Sequence, residues 1–260
     1  MLPLSSIPDA EMARISGLLF DLDDTLLDHG RLASSTYDAL DRLARAGFSL
    51  IAVTGRPARW GELLAGLWPV EAVVTENGAL AFRRERGRVV CIDTVSESVR
   101  RERRERLDDL VCAARATFPN LVPADDSWGR LSDFAFDIGE YQRAPETAIR
   151  EAVEFARAAG ARTTRSSVHL HYTFDHHDKA SGVLAFLSSN GVDPTAARYR
   201  FAYVGDSTND APCFAAFHST VAVANLSGSF SLLPRYAAGA ARGEGFNNLA
   251  DRLLAARAST

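Results

Sequence analysis

Short uninterrupted apolar runs alternate along the chain with longer stretches in which apolar positions recur every three or four residues, a pattern of strands and helices. Ile15 to Phe20 is the first run, and it stops at Asp21-Leu22-Asp23-Asp24-Thr25, as a buried strand does where its carboxyl end opens into a polar loop. Leu32, Tyr37, Leu40, Leu43 and Ala44 follow at near-helical spacing, with Gly47 where that helix would stop. Phe48 to Val53 is a second strand, ending in Thr54-Gly55-Arg56-Pro57, and Pro57 suits a first helical turn. A helix over Ala58 to Leu67 and a strand over Ala72 to Val74, running into Thr75-Glu76-Asn77-Gly78, complete a βαβαβ opening. That order predicts a Rossmann-like α/β fold, a parallel sheet with helices on both faces.

From Ala79 the pattern changes. Ala79 to Phe82 and Arg88 to Ile92 flank Gly87 as a hairpin would, and a long charged helix is expected over Ser96 to Phe118. A strand at Asp133 to Ile138, a helix at Glu146 to Ala159 and a strand-like stretch from Ala161 to Phe174 come next. The opening pattern then returns: helix Lys179 to Ser189, strand Phe201 to Val204 ending in Gly205-Asp206-Ser207, helix Asn209 to Phe217, strand Thr220 to Ala224. The middle block therefore reads as an α/β cap over 84–174, inserted into a core built from 1–83 and 175–260.

At 260 residues, 47% apolar and 24% charged, the chain is neither disordered nor fibrous and has material for two unequal domains. No apolar stretch approaches the roughly 20 residues of a membrane-spanning helix. The amino terminus lacks the basic-then-apolar pattern of a secretory signal. A cytoplasmic protein is expected, with Cys91, Cys112 and Cys213 as reduced, buried filler. The net charge of −4 gives no general attraction for nucleic acid, and Arg100 to Arg106, interleaved with glutamates, reads as a solvated helix face. Neither nucleic acid nor membrane is an expected partner; a monomer or homodimer acting on a small molecule is.

Ligands of open parallel sheets sit beyond the carboxyl ends of the strands, where four polar loops should converge. These carry Asp21, Asp23, Asp24 and Thr25; Thr54; Glu76 and Asn77; and Asp206, Ser207, Asn209 and Asp210. So many carboxylates repel one another unless a cation neutralises them, and an all-oxygen set suits Mg²⁺. With the cation present, Asp21 can attack a phosphorus atom as nucleophile, while Asp23 protonates the leaving oxygen and then activates water. Thr54 supplies a hydroxyl donor and Lys179 a positive charge at a helix start.

Together, Asp21-Leu22-Asp23-Asp24-Thr25, Thr54, Lys179 and Gly205-Asp206-Ser207-Thr208-Asn209-Asp210 resemble the four motifs of haloacid dehalogenase superfamily phosphatases, and they bracket nearly the whole chain. The resemblance implies a metal site formed by Asp21, the backbone carbonyl of Asp23, and Asp206 with Asn209 and Asp210 in support. The insert and the Glu76-Asn77-Gly78-Ala79 segment resemble subclass IIB, which includes sucrose-phosphate, mannosyl-phosphoglycerate and trehalose-phosphate phosphatases and whose α/β cap closes over substrate. Asp24 departs from the pattern, standing where many members have glycine.

Candidate substrate-binding residues are Gly55, Arg56, Glu76 and Asn77 on the core loops and Arg165, His169 and His171 in the cap. If Arg165 to Tyr172 is extended, Ser167, His169 and His171 share one face and Val168, Leu170 and Tyr172 the other. Asp133 and Asp137 share strand parity and either bond sugar hydroxyls or face water. His169, His171, His176 and His177 invite a zinc site, although no thiolate accompanies them. The expected activity is hydrolysis of a phosphosugar or phosphorylated glycosyl compound; a phosphosugar mutase and a non-catalytic metabolite-binding regulator are the alternatives.

Overall fold

A computed structural model describes residues 1–258. In chain order its strands are β1 (Leu2–Pro3), β2 (Gly17–Phe20), β3 (Ser49–Val53), β4 (Ala72–Thr75), β5 (Leu80–Glu85), β6 (Arg88–Asp93), β7 (Asp133–Asp137), β8 (Arg162–Arg165), β9 (His169–Thr173), β10 (Phe201–Gly205), β11 (Ser219–Ala222) and β12 (Tyr236–Ala237). Its helices are α1 (Asp9–Arg14), α2 (Ser34–Arg45), α3 (Ala58–Leu67), α4 (Glu97–Thr117), α5 (Glu146–Ala158), α6 (Lys179–Ser189), α7 (Pro194–Arg200), α8 (Ala211–Ala216) and α9 (Arg242–Ala258).

The large sheet has the order β1-β12-β11-β10-β2-β3-β4-β5-β6, parallel from β1 to β4 and antiparallel over the β5–β6 edge. Its central strands are apolar at successive positions because both faces are covered. Leu18, Phe20, Leu50, Ala52 and Val73 pack on Leu40 and Leu43 of α2 and on Phe246, Leu249 and Leu253 of α9. Leu19, Ile51, Val53 and Val74 point the other way, onto Val183, Phe186 and Leu187 of α6 and Phe214 of α8. The parallel register aligns the carboxyl ends of β2, β3, β4 and β10 on one edge, where the polar loops begin.

The boundary expected between 83 and 84 falls inside the hairpin and gives its second strand to the cap, but both strands belong to the large sheet. Leu80 to Arg83 of β5 pair with β4, and β6 pairs along the whole of β5, so a boundary between 83 and 84 would cut β5 and strip β6 from the sheet to which it belongs. Arg86 and Gly87, at φ of 47° and 82°, form its two-residue turn. The second sheet is antiparallel in the order β7-β9-β8. One face packs Phe134, Phe136, Leu170 and Tyr172 against Leu107, Val111 and Ala114 of α4 and Ile149, Ala152 and Ala156 of α5. The other carries Asp133, Asp137, His169 and His171, all buried.

The arginine run on α4 is only partly solvated. Arg100 donates to both carboxylate oxygens of Asp93 at 2.9 and 2.7 Å and also pairs with Asp175, which Arg103 engages too. These arginines thus stitch together the two chain segments that join core and cap. Arg106 lies over the ring of Phe174, 4.1 Å from its centroid, while Arg101 pairs with Glu97 in solvent. Cys213 is buried as expected, whereas Cys91 and Cys112 are exposed.

One close approach sets the height of α6 against the sheet. Gly78, at φ of 109°, lies so near Gly182 that a Cβ on either residue would run into the backbone across the gap. Asp178 caps α6 by accepting from the N–H of Ser181 at 2.8 Å, which fixes Lys179 as the first helical residue. Gly182→Ala should therefore cost about 1–3 kcal/mol by overpacking and lower the thermal midpoint in a melting experiment, while Ser189→Ala at the far end of the helix should leave it nearly unchanged.

Candidate active site

The loop after β2 continues the sheet by one bond, the N–H of Asp21 donating to the carbonyl of Val204 at 3.1 Å, and then turns sharply at Asp24. Asp24 has φ of 56°, the left-handed region that favours glycine and that Asp also tolerates. Arg242 donates to its carboxylate at 3.0 Å and Asn225 to its carbonyl at 2.8 Å. The departure from glycine is thus held in place from the carboxy-terminal part of the chain.

Asp21, Asp206 and Asp210 converge, with carboxylate oxygens within 4.8 Å of one another. Lys179, fully buried, sits 2.7 Å from Asp21 and 2.7 Å from Asp210. Burial alone would strip Lys179 of its charge, but the two carboxylates outweigh it and raise its pKa. Burial, together with the charges of Asp210 and Asp23, pushes the Asp21 carboxyl up, against the pull of Lys179. Asp206 is also pushed up, by burial and then by Asp21 and Asp210. One ammonium does not satisfy this many acids, and oxygen-only donors of this kind fit a divalent cation.

Within that set Asp210 and Asn209 serve as braces. The oxygens of Asp210 take Lys179, the hydroxyl of Tyr203, and the N–H groups of Asp206 and Ser207 at 2.9 Å each. Asn209 accepts from the hydroxyl of Ser207 at 2.7 Å and donates to Asn77 at 3.2 Å. Asp21 and Asp206 retain oxygens for a cation, with Thr25 orienting Asp206 through a 2.9 Å bond.

The second and third loops are tied together. Thr54 is fully buried, its hydroxyl accepts from the N–H of Arg56 at 3.0 Å, and its carbonyl accepts from the N–H of Asn77 at 3.1 Å. Arg56 grips Asp23 through two bonds of 2.9 and 2.7 Å, reaches Asp126 at 3.2 Å and Glu140 at 2.8 Å in the cap, and lies over the ring of Trp60. Glu76, at φ of 48°, sends a buried carboxylate into the cap. It accepts from the N–H of Ala58 at 2.9 Å and from Leu131, Ser132 and Asp133 at 2.9, 2.6 and 3.1 Å. Burial and the nearby Asp133 raise its pKa. Glu76 is a clamp between core and cap, turned away from a substrate-binding role.

His169 and His171 do face the core, bonded to Glu140 and Asp133 at 2.8 Å each. Arg165 does not. It pairs with Glu146 at 2.7 Å on the rim of the cap, because Ser166 to Val168 form a turn and the segment is not one continuous strand. Asp137 does not face water but accepts from the N–H groups of residues 139–142. Among the described residues no histidine joins a metal-type cluster, which removes the geometric basis for zinc. Arg130, Asp126 and Glu140 escaped sequence reading; the Gly139-Glu140 step directly after a strand end was the available signal.

Glu140 links Arg56 to His169, and despite its burial these two hold its carboxyl down to about 2, from 4.5. A carboxyl depressed by folding stabilises the fold above its unfolded pKa and loses that contribution as pH falls toward the folded value. Stability should therefore decline between about pH 4.5 and 2, and Glu140→Gln should flatten that part of a plot of thermal midpoint against pH.

A family model described as haloacid dehalogenase-like hydrolase matches residues 18–107. No curated protein matches the chain by sequence. Among solved structures, Thermoplasma acidophilum protein 0175 aligns with a TM-score of 0.72 and 16% identity, over 92% of this chain and 98% of its own. A HAD/COF-like hydrolase from Plasmodium vivax aligns at 0.69 and 17%, over 97% and 99%. A Synechocystis sucrose-phosphatase, solved with sucrose and phosphate, aligns at 0.66 and 18%, over 92% and 98%. At these identities the structural likeness is one of fold, and it extends over core and inserted cap alike. No described helix is long and apolar enough to cross a membrane. The matched stretch contains the loops of Asp21, Thr54 and Glu76, so this part of the chain is similar to haloacid dehalogenase-like hydrolases, and the fold of the whole, inserted α/β cap included, is that of the solved structures it aligns with.

Proposed function

We propose that this protein is a Mg²⁺-dependent phosphomonoester hydrolase that works through an aspartyl-phosphate on Asp21. The observation that carries this reading is the buried Lys179 bridging Asp21 and Asp210 beside Asp206, with Asp23 two residues further along the same loop. Asp21 attacks phosphorus, the bond to the leaving oxygen breaks, and Asp23 supplies the proton that oxygen needs. Asp23 then takes a proton from water, which attacks phosphorus and frees Asp21. Lys179 and the hydroxyl of Thr54 hold phosphoryl oxygens, and the positive end of α6 adds to the attraction. Asp21, Asp206 and the carbonyl of Asp23 would hold Mg²⁺, which offsets the repulsion between carboxylate and phosphate. Arg56 must release Asp23 for proton transfer, so the ion pair between them is a resting arrangement.

The substrate in this reading is a small phosphorylated metabolite, a sugar phosphate or phosphoglycosyl compound. A cavity of about 490 Å³ adjoins Asp23 and is lined by Arg56, Trp60, Asp126, Trp128 and Glu140 among others. Carboxylates that accept from hydroxyls, beside aromatic rings that cover C–H faces, suit a polyol. The sucrose-phosphatase of the same fold, solved with sucrose and phosphate, supports this class. The protein acts in the cytoplasm as a monomer or homodimer, with neither nucleic acid nor membrane as partner.

Phosphate release from a panel of sugar phosphates, phosphoglycosyl acids and nucleotides tests the proposal. Asp21→Asn should lower kcat by at least about 1,000-fold, and chelation should abolish turnover until Mg²⁺ is restored. Mg²⁺ binding without release from any ester would overturn the reading, and a requirement for a bisphosphate activator would point to a mutase.

A further inference from the structure

The histidine at the centre of the cap's polar face has a free end. The ring of His171 is 1% exposed, its Nδ1 lies 2.8 Å from Asp133, and its Nε2 has no hydrogen-bond partner among the described residues. A buried acceptor left empty is unfavourable, and at a site such a group is one a ligand can satisfy. Asp133 fixes which end is free. Arg130 donates to its other oxygen at 2.9 Å, and although burial raises the Asp133 carboxyl, Arg130 and His171 hold it down to about 2. An ionised Asp133 accepts the hydrogen bond of Nδ1–H at 2.8 Å, closer than the 3.5 Å approach of Arg130 to the same nitrogen, which leaves Nε2 a bare acceptor, and burial lowers the pKa of the ring and keeps it neutral.

The free nitrogen is aimed at the loop that follows Thr54. A Cβ built on Gly55 would lie 3.3 Å from Nε2 and 3.3 Å from both amide atoms of Asn77. Gly55 has no left-handed backbone to account for it; what glycine permits here is the close approach of this loop to the ring, so that Nε2 faces the residues that follow Thr54. Arg130 fastens the same place by donating to the carbonyl of Gly55 at 2.9 Å. A phosphate dianion has no proton to give Nε2, so the donor must come from the rest of the substrate.

We infer that Nε2 of His171, oriented by Asp133, determines specificity by accepting a hydrogen bond from a hydroxyl or N–H on the leaving group of the phosphoester, close to the ester oxygen. This rests on the phosphatase reading above. His171 is the group that meets substrate; Asp133 is a positioning residue that sets its tautomer. An ester without a donor at that place leaves the buried nitrogen empty and is selected against.

Glycerol 1-phosphate and propyl phosphate share a carbon chain and differ in their hydroxyls, so the ratio of their kcat/KM values reads this contact. The native protein should favour glycerol 1-phosphate by at least about 100-fold. His171→Leu should reduce the ratio to below about tenfold, chiefly through KM for the hydroxylated ester. His171→Gln, which restores an acceptor, should recover much of it, and Asp133→Asn should fall between native and leucine variant. A native ratio near one, or a folded His171→Leu that loses both esters equally or neither, overturns the inference. Should the leucine variant not fold by circular dichroism, Asp133→Asn decides by the same ratio, and an unaltered value overturns the assignment. Absence of phosphate release from every ester by the native protein overturns the phosphatase reading and this inference with it; release with an unaltered ratio overturns the inference alone.

Discussion

One buried ammonium holds the catalytic edge of the sheet together. Three carboxylates confined within 4.8 Å cannot all ionise in a low-dielectric interior, and Lys179 touches two of them at 2.7 Å. Its own charge survives complete burial only because those acids are there. The arrangement is lopsided: the lysine keeps its charge through the acids, while its pull only partly offsets the burial and mutual repulsion that push Asp21 and Asp206 up. Its geometry is inherited from backbone features, the capped start of α6 and the glycine contact that seats this helix against the third loop. The environment of Asp21 thus depends on a helix more than 150 residues away in sequence.

The seam between core and cap follows a different rule. It is closed by ion pairs and by carboxylates gripping backbone N–H groups: Arg56 to Asp126 and Glu140, Glu76 to residues 131–133, and Arg130 to the carbonyl of Gly55. Each of these groups has a good alternative partner in water. Opening such a seam exchanges protein hydrogen bonds for hydration, whereas opening an apolar seam would expose surface with no compensating partner. The seam is thus held by polar groups alone in these contacts, and the apolar residues of the cap are kept for its own interior.

Much of the site was legible because its signals are local. An apolar run that ends in a cluster of acids marks both strand and loop, so Asp21, Thr54, Lys179 and Asp206 could be assigned to strand ends and a helix start. What failed depended on distant partners. Nothing within Leu80 to Asp93 tells that its hairpin pairs with β4, and the arginines of α4 read as solvated because Asp93 and Asp175 lie elsewhere in the chain. Arg165 was misplaced by an assumption of continuous strand, when the hydroxyl of Ser166 accepts from the N–H groups of Val168 and His169 and closes a turn. The alternation argument held from His169 onward, where the chain is extended. α1, α7 and α9 carried too weak a periodic signal to be read.

The strand order has a consequence for synthesis. β2 is flanked by β3 on one side and by β10 on the other, and β10 begins at Phe201. As the chain leaves the ribosome, the β2–β3–β4 half-sheet is complete long before β10 emerges, and the cap, ending with β9 at Thr173, is complete before it too. Until then β2 presents an unpaired apolar edge, the kind of surface on which nascent chains associate. The cap, whose two ends meet at the Asp93–Arg100–Asp175 junction, can close upon itself in the interval. A chaperone acting on this protein would have its main work in the span between translation of Phe20 and Phe201, shielding the strand that runs into Asp21.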